Sequence, residues 1–74
     1  METTTERLVK YIMSYKKSIG EFSMDMYYDD VRENEDERFV VRLERTNGEI
    51  THFRKGNLDT SLCVALKYIQ SLVK

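Results

Sequence analysis

Seventy-four residues leave room for one domain, and 41% hydrophobic with 34% charged residues is a globular rather than a disordered composition. One cysteine, Cys63, and one histidine, His52, exclude an internal disulfide and a structural zinc site of Cys and His ligands, so no metal or cofactor is expected. The net charge of −1 is segregated: residues 1–20 sum to +2, residues 21–37 to −7 with eight acids against Arg32 alone, and residues 38–74 to +4.

The opening METTTERLVKYIMSY has no apolar core and no small-residue cleavage site, so it does not read as a secretory leader. No apolar run approaches the length that crosses a bilayer. A lone thiol fits a reducing compartment, and a soluble, cytoplasmic protein is expected. Thr3-Thr4-Thr5-Glu6 has capping-box spacing, and Leu8, Tyr11, Ile12, Tyr15 and Ile19 follow at steps of three and four. A single helix over about 3–19 is expected, stopped by Gly20.

Phe22, Met24, Met26 and Tyr28 alternate with polar or smaller positions, which predicts a strand over about 21–28 with these four facing inward. Residues 29–37 carry six acids and one Arg, and read as a self-repelling solvated loop. Phe39, Val41 and Leu43 alternate in a second strand over about 38–45, and Thr46-Asn47-Gly48-Glu49 is a hairpin turn leading to a third over about 49–55. A two-residue turn would turn Ile50 and His52 inward. A type I turn with a bulge at Gly48 turns Thr51 and Phe53 inward, and is favoured because burying Phe53 stabilises more.

Asp59 is a plausible N-cap for a last helix over about 59–73. Leu62, Ala65, Leu66, Ile69, Leu72 and Val73 make its apolar stripe, with Leu66 at the centre, Ser61 on the polar side and Cys63 at the core margin. The expected fold is α+β, in the order α-β-β-β-α: a three-stranded antiparallel meander with both helices on one face.

That order, at this length, resembles the double-stranded-RNA-binding-domain fold across nearly the whole chain. The resemblance is one of topology. RNA-binding members carry a lysine-rich start to the last helix, whereas this chain has Lys55-Gly56-Asn57-Leu58-Asp59-Thr60-Ser61. Their loop between the first two strands enters the minor groove, whereas the loop here is acidic. Phosphate recognition is mainly electrostatic, so both departures disfavour duplex binding.

Three surfaces stand out. The open sheet face should present Tyr27, Val40, Arg42, Ile50, His52 and Arg54 to another protein or a second copy of the chain, with Val40 and Ile50 side by side. The acidic loop offers Asp29, Asp30, Glu33, Glu35, Asp36 and Glu37. On the outer side of the first helix, Arg7, Lys10, Ser14 and Lys17 form a stripe that could meet phosphate. No catalytic constellation is visible. The leading expectation is a non-enzymatic protein-interaction module, a small regulator, adaptor or inhibitor; the alternative is nucleic-acid binding through the basic stripe.

Overall fold

The computed structural model describes residues 2–73. Helix α1 spans Thr4–Met13, a one-turn helix α2 Lys16–Ile19, strands β1, β2 and β3 Phe22–Tyr28, Phe39–Arg45 and Ile50–Arg54, and helix α3 Leu58–Leu72. The strands form one antiparallel sheet in the order β1-β2-β3, with the helices packed against it.

Thr3 caps α1 as its sequence implies, its hydroxyl accepting the Glu6 N–H at 3.1 Å. The expected single helix, however, breaks at Ser14. The Ser14 hydroxyl donates to the Tyr11 carbonyl at 2.5 Å, and the Tyr15 N–H turns back to Ile12, three residues away instead of four. A serine that binds the backbone one turn earlier competes with the helical ladder, and here it splits one helix into two. Gly20, at φ +90°, closes α2 in a conformation that favours glycine.

The second hairpin takes the bulged form. The Gly48 N–H donates to the Arg45 carbonyl and the Arg45 N–H to the Glu49 carbonyl, with Gly48 at φ +89°. The register therefore pairs Val41 with Phe53 and Leu43 with Thr51, and sends Ile50, His52 and Arg54 to the outer face.

The core lies between the helices and the inner sheet face: Ile12 from α1, Leu62, Ala65 and Ile69 from α3, and Phe22, Val41, Leu43 and Phe53 from the sheet. Two expectations for α3 change. Its N-cap is Asn57, whose side chain accepts the Thr60 N–H at 2.8 Å; Asp59 sits inside the first turn and accepts the Thr5 hydroxyl, tying α1 to α3. Leu66 lies at the margin of the core, half-buried, while Ser61 is fully buried and Cys63 is exposed. The buried line is thus rotated toward the Ser61–Leu62–Ala65–Ile69 side.

Tyr68 packs against Phe53 and donates to Glu49 at 2.5 Å. The hydrogen bond to that carboxylate, aided by burial, holds the phenol above its ordinary value of about 10. The proton is bound more tightly folded than unfolded, so the contribution is full below the unfolded value and lost as pH rises through the folded one. Urea unfolding at mildly and strongly alkaline pH should show wild type losing more stability than Tyr68→Phe. Equal losses would show that this bond is not formed in solution.

Candidate protein-interaction surfaces

Cross-strand rows lay out the outer sheet face: Ser23–Glu44–Ile50, Asp25–Arg42–His52 and Tyr27–Val40–Arg54. Arg42 bridges its neighbours, bonding Asp25 at 3.3 Å and Glu44 at 3.0 Å. Tyr27, Ile50 and His52 are exposed. Val40 is not: it is 0% exposed, although it points away from the core. Nor does it adjoin Ile50, which lies two rows away at the opposite end of the face.

The cause is the acidic segment, which folds back over this end of the sheet instead of extending into solvent. Arg54 donates to the Asp29 carboxylate at 3.1 Å and to the Glu37 carbonyl at 3.2 Å. The Gly56 N–H donates to the Asp36 carbonyl at 2.8 Å, which holds the loop against the β3–α3 turn. Residues Glu35–Glu37 form a single 3-10 turn capped by Asn34. Arg32 lies near both Asp29 and Glu37, and Arg38 near Glu35. Guanidinium groups thus offset the like-charge repulsion, leaving Asp30, Glu33, Glu35 and Asp36 as the solvent-facing acids.

The basic stripe is also altered. Arg7 and Lys10 both pair with Glu2, Ser14 sits at the helix break with its hydroxyl engaged, and Lys17 belongs to α2. These four residues no longer share one continuous helical face.

A surface that the alternation pattern misses lies on the inner side of the sheet, at the far end of β1. Phe22 is buried and Met24 half-buried, but Met26 is 41% and Tyr28 52% exposed. Tyr28 stacks edge-on against its cross-strand partner Phe39, with ring centroids 5.1 Å apart, and Phe39 is itself 37% exposed. With Tyr27 and Leu58 these side chains line a shallow apolar depression. A second, lined by Thr5, Val9 and Met26 between Glu6 and Lys10, runs from it along α1.

Helix geometry explains the opening. α1 packs mainly on α3, and α3 on β2 and β3, so among the described residues no helix packs squarely over the end of β1. Large apolar side chains grouped this way, instead of scattered singly, characterise surfaces that meet another molecule. Among the described residues no cluster of His, Cys, Asp and Glu could hold a metal ion, and no helix is long and apolar enough to cross a membrane. Comparison with protein-family models, curated proteins and solved structures gives no match.

Proposed function

We propose that the protein is a non-enzymatic protein-interaction module, a small cytoplasmic regulator, adaptor or inhibitor. Its contact surface is the apolar end of β1, Met26, Tyr27, Tyr28 and Phe39. The supporting observation is that these four residues line one depression at the edge of the sheet and each is between 37% and 52% exposed. Aromatic residues and Met are the types enriched at interface centres, and the aromatic rings supply contact area for little lost side-chain entropy. Of the residues expected on the open sheet face, Tyr27 belongs to this surface. Ile50 and His52 stay accessible farther along, whereas Arg42 and Arg54 are engaged within the chain and Val40 is buried.

The test is affinity capture with wild type and with Tyr28→Ser/Phe39→Ser, each checked for folding by circular dichroism. Proteins captured by wild type and lost with the variant support the reading; identical captures overturn it. For the alternative, binding through the basic stripe of a double-stranded-RNA-binding-like fold, duplex RNA at physiological salt should bind no tighter than the weak non-specific range. Sub-micromolar binding that collapses in Lys10→Glu/Lys17→Glu would reverse the ranking.

A further inference from the structure

We propose that β1 is a dimerisation edge: two copies of the chain pair antiparallel through β1, about a two-fold axis at Met26, and join two three-stranded sheets into one of six. This rests on the protein-interaction reading and names the partner at this edge as a second copy.

Backbone parity identifies the free groups. In an antiparallel pair, residues alternate between bonding the neighbouring strand and pointing away from it. The Asp29 N–H donates to the Arg38 carbonyl, which continues the β1–β2 register. Tyr27, Asp25 and Ser23 therefore bond to β2, and the N–H and C=O groups of Met24, Met26 and Tyr28 point outward. Among the described residues no further strand pairs with them.

The two edges of the sheet differ in protection. Natural edge strands are kept short, charged or interrupted to prevent unwanted pairing. β3 has five residues, and those whose backbone faces outward are Ile50, His52 and Arg54. β1 has seven residues without proline, and its outward backbone belongs to Met24, Met26 and Tyr28, all uncharged. The one charge within this edge strand, Asp25, is paired with Arg42 on the outer face.

The sequence of β1 is also complementary to itself. An axis at Met26 places Met26 opposite its own copy and Met24 opposite Tyr28, giving a wholly apolar row with favourable sulfur–aromatic contacts. On the other face Asp25 meets Tyr27 and Asp29 meets Ser23, while Asp30 lies beyond the end of the strand; no acid faces an acid. Moving the axis to Tyr28 would pair Met26 and Met24 with Asp30 and Arg32, beyond the end of the strand; moving it to Met24 would leave Tyr28 opposite Gly20. The same two-fold runs α1 antiparallel to its copy. Glu6 and Lys10, which flank Val9 beside Met26, then approach residues of opposite sign. A specific dimer buries at least about 1,000 Å² in total, more than one strand ladder supplies, so the Val9–Met26 depression is covered as well.

The experiment is light scattering or sedimentation on the whole chain from micromolar to near-millimolar concentration. Wild type should approach twice 8.8 kDa, and Met26→Lys should remain at the monomer mass with unchanged circular dichroism. Because position 26 faces itself, mixing M26K with M26E should restore a one-to-one dimer. Amide exchange at Met24, Met26 and Tyr28 should be slower in wild type than in M26K. A wild type monomeric throughout, a dimer that survives M26K, or a mixture that stays monomeric would overturn the proposal. If wild type is monomeric yet captures a protein lost in Tyr28→Ser/Phe39→Ser, the edge serves a foreign partner and the interaction reading stands. If it is monomeric and its captures are unaffected, both fall.

Discussion

Ile69→Ala is expected to destabilise the domain by about 2–5 kcal/mol, the usual cost of deleting a large aliphatic side chain from a close-packed site. Ile69 is 0% exposed and belongs to the cluster in which α1, α3 and the sheet meet. Removing it subtracts transfer free energy and leaves a cavity that three elements would have to move together to fill. Folded domains are stable by only about 5–15 kcal/mol, and small ones lie toward the lower end. The variant should therefore unfold at markedly lower denaturant. Leu66→Ala supplies the control: its side chain reaches water, the site can relax, and the loss should be smaller. Chemical denaturation of both variants decides it. Equal losses, or an Ile69 variant as stable as wild type, would show that the buried line of α3 has been placed wrongly.

The difference between those leucine and isoleucine positions also shows what the sequence could convey. Element order, strand alternation and the bulged hairpin at Gly48 were legible, because each follows from local periodicity or from the positive φ of one glycine. Legibility ended where the outcome depends on how one element packs against another. Met26, Tyr28 and Phe39 read as inward-facing, and they are on the inner face; no local signal says that α1 packs on α3 instead of over them. Val40 was opposite in kind, an outer-face residue buried by a loop whose charge pattern pointed to solvent. Only the positions of Arg54 from β3, Arg38 at the loop's end and Arg32 within it make that acidic segment compatible with folding back. The break at Ser14 was written locally, but a serine inside a helical pattern is ordinarily tolerated, so spacing alone carried the helix through it.

Ser61→Ala should cost about 1–3 kcal/mol, the range for leaving a buried polar partner unsatisfied. Ser61 is fully buried near the start of α3, where an apolar stripe gives no reason to place a hydroxyl. Its oxygen accepts the Lys55 N–H at 3.0 Å, and it lies 3.2 Å from the Phe39 carbonyl, 3.2 Å from that of Lys55 and 3.1 Å from that of Asn57. One hydroxyl proton serves those carbonyls in turn, so a single side chain joins the start of β2, the β3–α3 turn and the cap of α3. Alanine fills nearly the same space and creates little cavity; the loss comes from the Lys55 N–H and the Phe39 carbonyl, which would need water that the site excludes. The next residue in that turn, Gly56, holds the acidic segment through the Asp36 carbonyl. Loosening the turn should therefore also free the loop that covers Val40. Amide exchange should accelerate at Lys55 and Gly56 in the variant, before global unfolding, while amides in the middle of β2 change only with overall stability. A variant within about 0.5 kcal/mol of wild type, the range of an ordinary surface substitution, with Lys55 and Gly56 exchanging as before, would show that the hydroxyl is dispensable and that the loop is held by its arginines alone.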